Sequence, residues 1–304
     1  NFDTFCIAGF STTSLLALGA IQRVVDSGDI KYMKNFVGTS ASALILYFVA
    51  IGFTPIEILC ALLSIDVFER LRENVDVANM STSLGATSWS PVQETVEKMT
   101  IQKIGFFPTL EDIRQKFGKN LVIVTYNFST SETEYLSAAT PPSLPALVAV
   151  RMGFNMPFIF PPFHWNDHFF VDGIVGCNFP VKKAEEIGER VLALRVARTP
   201  ITSDSRKNSM LEYFYKILLP QIDHRDEENC RERRSNTTIV TLTCDRKMIH
   251  FDNFSNPAKL NIFSSGYSQM RLKASAAFAN HELQPFANVH DRHETHAREK
   301  SREE

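Results

Sequence analysis

Short, unbroken apolar runs alternate along this chain with segments whose apolar residues recur at helical spacing. Thr4 to Ala8, ending at Gly9, reads as a buried strand, and Leu15 to Val25 as a helix that stops near Gly28. Asn35-Phe36-Val37 is a brief strand that runs into Gly38-Thr39-Ser40-Ala41-Ser42 and then an apolar helix. Ser90-Pro91-Val92-Gln93 and Thr109-Leu110-Glu111-Asp112 have the composition of helix N-termini, the second helix closing at Gly118. Leu121 to Tyr126 is a central strand with Thr133 to Ser137 as its neighbour, and Leu144 to Met152 is helical. Trp165-Asn166-Asp167-His168 reads as a tight turn feeding the strand Phe169-Phe170-Val171, which stops at Asp172-Gly173. Arg190 to Val196 and Thr237 to Thr243 supply two more strands, and Leu260 to Phe278 a late helix. The densely charged stretch Ile222 to Ser235 is expected to be an exposed loop or frayed helix. This alternation predicts an α/β chain, layered α/β/α around a largely parallel sheet, with one domain over residues 1–281 and a charged, disordered tail over 282–304.

Composition narrows the partners. Of 304 residues 44% are hydrophobic and 22% charged, enough to bury a sizeable core, and the net charge of -2 offers no basic field for a nucleic-acid backbone. Phe is frequent, at 24 residues, which suits both a core and an apolar ligand channel. The five cysteines are widely spaced with no C-x-x-C pair, so neither a disulfide framework nor structural zinc is expected and a reducing, cytoplasmic setting fits. No signal-peptide pattern precedes the first strand, although the chain opens on Asn1 rather than Met. Ala41 to Ile65 is apolar enough to suggest a membrane span. Thr54-Pro55-Ile56-Glu57 interrupts it with an N-cap, a proline at the first helical position and a capping box, which predicts two buried helices instead.

Two motifs carry chemistry. A serine hydroxyl becomes a useful nucleophile when a sharp strand-to-helix turn lifts it clear of the sheet and a base stands beside it. Gly38-Thr39-Ser40-Ala41-Ser42 has that form, G-x-S-x-S, with small residues two before and two after Ser40 and a helix N-terminus behind it. The same residues also fit a plain turn with Ser40 as a helix cap. Asp172-Gly173 places a carboxylate at the end of a strand, where open α/β sheets hold ligands, and equally fits an ordinary Asp-Gly turn.

Taken in order, these blocks resemble the patatin-like phospholipase family. Gly38-Thr39-Ser40-Ala41 is similar to its nucleophile motif, followed by an apolar helix and Gly52-Phe53-Thr54-Pro55. Val171-Asp172-Gly173 with Asn178-Phe179-Pro180-Val181 resembles its D-G-G/A box and trailing N-x-P, preceded by Ala149-Val150-Arg151 and Ile159-Phe160-Pro161-Pro162, while Ser265-Gly266-Tyr267 resembles its late G-Y helix. The resemblance implies a three-layer patatin-like fold. It also implies a calcium-independent, cofactor-free Ser40–Asp172 dyad that hydrolyses acyl esters of glycerolipids or phospholipids at a membrane surface, by a cytoplasmic protein peripheral to membranes. Ser40 would attack the ester carbonyl and Asp172, held by Gly173, would take its proton.

One departure stands out. The family's glycine-rich turn after the first strand, whose backbone N–H groups bind the oxyanion, corresponds here to Gly9-Phe10-Ser11-Thr12-Thr13-Ser14. Gly9 is kept, Phe10, Ser11 and Ser14 replace glycines, Thr13 replaces the basic residue, and Ile174 replaces the second glycine of the acid box. Backbone donors are expected from Gly9, Phe10 and Ser11. The same departure motivates a second reading, a catalytically weakened or silent lipid-binding or interaction protein on this fold. An acyltransferase, or a Ser-His-Asp triad using His250 or His281, are weaker alternatives. His290, His293 and His296 with Asp291 and Glu294 read as a solvated tail rather than a metal site, His164 and His168 as surface residues, and Lys182-Lys183 as an exposed helix start.

Overall fold

β-Branched and aromatic runs build an eight-stranded sheet, and the order of its strands fixes where chemistry can happen. The computed structural model describes residues 1–10, 13–65, 71, 75, 80–141, 143–197, 210–244 and 255–282. The strands are β1 (Thr4–Phe10), β2 (Asn35–Ser40), β3 (Asn120–Asn127), β4 (Glu132–Leu136), β5 (Phe163–Trp165), β6 (His168–Asp172), β7 (Val191–Ala197) and β8 (Thr237–Thr243), in the order β5-β6-β3-β2-β1-β7-β8 with β4 on β3. β8, β7, β1, β2 and β3 are mutually parallel, and β4, β5 and β6 run antiparallel to their neighbours. The central strands are buried on both faces, as a sheet covered by helices requires.

The α-helices of seven or more residues are α1 (Ser14–Asp26), α2 (Ala41–Ala50), α3 (Pro55–Ser64), α4 (Ser90–Ile104), α5 (Leu110–Phe117), α6 (Ala146–Gly153), α7 (Val181–Ile187), α8 (Met210–Arg231) and α9 (Asn256–Glu282). β1 to β2 and β7 to β8 step in opposite directions along the sheet. Right-handed crossovers therefore put α1 on one face, where it packs against α9, and α8 on the other with α7. The apolar run from Ala41 to Ile65 is two helices bent by 120° at the Thr54-Pro55 break, with the expected capping box. Among the described residues no single helix is long and apolar enough to cross a membrane.

Two expectations need revision. Ile222 to Ser235 is mostly not a loop: through Arg231 it is the second half of α8, because Ile222 is fully buried and Asp226 and Asn229 turn inward toward the sheet connection while the remaining charges face solvent. The late helix is longer than its apolar periodicity implied, running from Asn256 to Glu282. Residues 283–304, and with them the histidine cluster of the tail, lie outside the described residues, as do His250, Ser11 and Thr12. The Asn166-Asp167 turn is as expected. Both residues have positive φ (45° and 62°), which closes the two-residue hairpin between β5 and β6.

The first and last described helices meet backbone to backbone. A Cβ on Gly19 would stand 1.9 Å from the Phe263 carbonyl oxygen, and one on Gly266 1.9 Å from that of Leu16. Neither obstacle is a side chain that can rotate away. Gly19→Ala is expected to destabilise the protein by about 3 kcal/mol, the upper range for overpacking, lowering Tm by roughly 8 °C in a thermal melt. An unchanged melt would show that α1 and α9 are not in this contact.

Candidate active site

The site forms where two strands end on one edge of a third. β2 pairs with β3 from Asn120 to Val124, and β4 lines the opposite edge of β3 from Ile123 to Asn127. β6 pairs with Thr125 to Asn127, so it must occupy the same edge as β2, running head-on toward it. Thr39 is opposite Val124 and Asp172 opposite Thr125. Adjacent register positions on one strand thus bring together side chains far apart in sequence: Ser40 Oγ donates to Asp172 Oδ2 at 2.7 Å in a buried hydrogen bond.

Ser40 turns the chain from strand to helix in one step. Its φ of 59° and ψ of -136° lie in a region that costs a residue with a Cβ about 1–3 kcal/mol. The surroundings hold it there. A Cβ on Gly38 would meet Leu46 Cδ1 at 2.8 Å and Ala43 N at 3.1 Å, so glycine lets α2 cross β2 closely. Thr39 Oγ1 donates to the Cys177 carbonyl at 3.0 Å, tying the turn to the loop beyond the acid. Ser42, where a glycine was the simpler fit, donates its hydroxyl to the Ala8 carbonyl at 2.6 Å and so anchors the start of α2 to β1. With Ala41 as its first residue, α2 directs its N-terminal N–H groups and positive dipole end toward the serine.

Asp172 is held from several sides. Its Oδ1 accepts the Ile174 N–H at 3.0 Å, and its own N–H donates to the Asn155 carbonyl at 2.9 Å. Gly173 is required next to it, since a Cβ there would stand 2.4 Å from the Val124 carbonyl oxygen. The carboxyl group is wholly buried, and burial pushes its pKa from 3.8 up to about 7, against the pull of hydrogen bonds from Ile174, Ser40 and the Asn155 backbone. Ser40 itself is 2% exposed.

The turn after β1 is only partly as the sequence suggested. Phe10 sits opposite Ser40 after a break in the β1–β2 register, and Ser11 lies outside the described residues. Gly9 does not supply an oxyanion donor in this conformation, because its N–H donates to the Asn178 carbonyl at 2.9 Å. What Gly9 provides is proximity: a Cβ there would come within 2.5 Å of Asn178 Oδ1 and 3.4 Å of Ser40 Cβ.

Two supporting residues were not singled out from sequence. Asn155, fully buried, accepts at its carbonyl from Asp172, donates from Nδ2 to the Phe170 carbonyl at 2.9 Å and accepts from Arg151 at Oδ1. Nothing in its local sequence separates it from a loop asparagine. Asp226 on α8 accepts from Asn178 Nδ2 at 2.5 Å, and Arg225 beside it donates to the Val175 and Gly176 carbonyls at 2.9 Å each. α8 therefore braces the loop from Asp172 to α7, beside a cleft of about 410 Å³ bordered by Cys177, Asn178, Arg225 and Asp226. Lys182 and Lys183 are ion-paired with Glu232 and Glu186, and His168 pairs with Asn127 while His164 packs on Phe169.

A sequence model of patatin-like phospholipases matches residues 5–184. A probable lipid hydrolase, 463L, of Invertebrate iridescent virus 6 is 26% identical over 184 residues, covering 59% of this chain and 62% of that protein. The uncharacterized protein R571 of Acanthamoeba polyphaga mimivirus is 22% identical over 227 residues, covering 72% of this chain and 74% of its own length. Among solved structures, VipD from Legionella pneumophila superposes with a TM-score of 0.53 at 14% identity, covering 91% of this chain and 67% of that one. ExoU in its complex with SpcU from Pseudomonas aeruginosa superposes with a TM-score of 0.50 at 12% identity, covering 90% and 51%. The fold is shared with both.

The buried carboxyl group makes a stability prediction. Between pH 4 and 7 the folded state holds a proton that the unfolded chain has released, so stability is lost as pH rises through this window and the loss is complete above about pH 7. The displacement from 3.8 to about 7 corresponds to at most about 4 kcal/mol. Asp172→Asn is therefore expected to be more stable than the parent at pH 8 by a few kcal/mol, with the difference vanishing near pH 4, as read by urea denaturation. A variant less stable than the parent at pH 8 would contradict the burial of an ionising group.

Proposed function

The chain belongs to the patatin-like phospholipase family, and on that premise we propose that it is a lipid acyl hydrolase of phospholipase A or lysophospholipase type. The observation that carries the reading is the buried 2.7 Å hydrogen bond from Ser40 Oγ to Asp172 Oδ2. As the Ser40 oxygen adds to the ester carbonyl carbon, its proton passes to the Asp172 carboxylate. The tetrahedral intermediate collapses to an acyl-Ser40 ester, and the departing lyso-lipid alkoxide takes the proton from Asp172. A water molecule, deprotonated by the same carboxylate, then attacks the acyl-enzyme and releases fatty acid with Ser40 regenerated. The nucleophile is a side chain, so no step calls on calcium. Charge on the oxyanion is countered by the N-terminal end of α2, beside which the backbone of Phe10 stands opposite Ser40.

A pKa near 7 suits this work, because a carboxylate at its ordinary value is too weak a base to take a serine proton effectively. The substrate would be a glycerolipid or phospholipid presented at a membrane surface, with the protein cytoplasmic and peripheral. The second reading, a catalytically silent lipid-binding protein, draws on the engagement of the Gly9 N–H and on the closure over Ser40.

Ser40→Ala is expected to lower turnover of short-chain acyl esters by about ten-thousandfold or more, and Asp172→Asn by about a thousandfold. Stoichiometric labelling of Ser40 by a fluorophosphonate would remove the silent reading; a folded protein that neither labels nor turns over would remove the enzymatic one. The ionised form of Asp172 is the active one, so kcat/KM should fall tenfold per pH unit below about 7. An acid limb near pH 4 would place the base elsewhere.

A further inference from the structure

Arg151 is a largely buried cation with no acid beside it. It lies on α6 with its guanidinium over the rings of Trp89, Phe163 and Phe160, at 5.0, 5.3 and 5.8 Å from their centres. It donates to Asn155 Oδ1 and, at 3.3 Å, to the Pro161 carbonyl. Among the described residues no carboxylate comes within ion-pairing distance of it, whereas Lys182, Lys183 and Arg195 are each matched to a glutamate at 2.5 to 2.8 Å. Two of five N–H donors are used by the protein, which leaves three for something else. Burial pulls its pKa down to about 10, the sign of a charge whose lost hydration has not been replaced.

The guanidinium opens onto a cleft of about 510 Å³. The same cleft is lined by Ser88 and Ser90, by Thr87, whose hydroxyl donates to the Leu71 carbonyl at 3.3 Å, and by Gln93, whose amide donates to Glu97 Oε1 at 2.7 Å. Ser88 and Ser90 hydrogen-bond to each other at 2.7 Å, so one hydroxyl proton of the pair remains to be donated outward. A planar fork of N–H groups together with rotatable hydroxyl groups suits the several oxygens of a phosphate better than it suits a neutral ligand. Three aromatic rings fix the fork in place before anything binds, which spares the ordering of a long side chain.

We propose that this cleft is a binding site for a phosphate ester, with Arg151 as its anchoring cation and Ser88 and Ser90 as rim donors. Arg151 bonds to the side chain of Asn155, whose carbonyl receives the Asp172 N–H, so the site lies two hydrogen bonds from the catalytic acid. Assigning the ligand to a phospholipid headgroup rests on the hydrolase reading above; the anion site itself does not. A free phosphate monoester has the same chemistry and is the alternative source.

The test uses the full chain carrying Ser40→Ala, so that turnover plays no part. Titration calorimetry with inorganic phosphate and with glycerol 3-phosphate should give saturable binding at one site, with glycerol 3-phosphate the tighter. Arg151→Lys, which keeps the charge but not the fork, should weaken it about tenfold, and Arg151→Met still more. Ser88→Ala with Ser90→Ala should weaken it about three- to tenfold, and this pair decides the matter should Arg151→Met fail to fold. Displacement of glycerol 3-phosphate by a soluble short-chain phosphatidylglycerol supports the headgroup; failure to displace overturns that assignment and gives the site to free phosphate esters. The proposal as a whole falls if neither probe binds saturably up to about 20 mM, or if a folded Arg151→Met or the serine pair binds as well as the parent. Because Ser40 takes no part, a null result here leaves the dyad standing, and loss of Ser40-dependent turnover would leave this binding intact.

Discussion

The contact between Ser40 and Asp172 depends on one shared edge. β3 offers a single row of hydrogen-bonding groups to two strands that approach from opposite ends, β2 up to Val124 and β6 from Thr125 onward. A strand that ends leaves its neighbour's next groups unpaired, and an antiparallel strand arriving head-on satisfies them. The two strand ends that meet at this seam are Ser40 and Asp172. The Ser40–Asp172 pair is thus not assembled from flexible loops. It is the by-product of completing a ladder, and the geometry of a hydrogen-bonded sheet sets its spacing.

The seam stores tension that the rest of the fold must hold. Ser40 sits in a strained backbone conformation, and Asp172 is an ionisable group without access to water. Against these stand the Ser42–Ala8 and Thr39–Cys177 hydrogen bonds, the Asn155 scaffold behind the acid, and the brace from α8 onto the loop that follows it. α8 lies beyond the region matched to the family, residues 5–184, so this part of the support belongs to what surrounds the shared core.

Much of this was legible in the amino-acid sequence. The strand runs at Leu121–Tyr126 and Phe169–Val171 and the capping box at Thr54 are local signals, and local physics suffices to read them. Gly38 announced a close crossing, and it is pressed against Leu46 and the Ala43 backbone. Asn155 was invisible because two of its three partners, Phe170 and Asp172, come from a strand that only the fold brings near. Asp226 was hidden in a charge-rich run whose polar surface outweighed the one face turned inward, so a helix was read as an exposed loop or frayed helix. Gly9 misled for a different reason. A glycine kept for close approach and one kept for a free N–H look alike until the partner of that N–H, the Asn178 carbonyl, is known.

The paired glycines at Gly19 and Gly266 have a consequence for how the protein comes into being. A helix near the start of the chain and one formed some 240 residues later close on each other with no side chain between them, so neither can complete its packing alone. During synthesis the early helix must wait, with its apolar face uncovered, until the late one has left the ribosome. Stable folding therefore waits for the segment that carries Gly266, and a ribosome that stops short of it releases a product that already contains both Ser40 and Asp172 yet lacks the clasp that holds their scaffold shut.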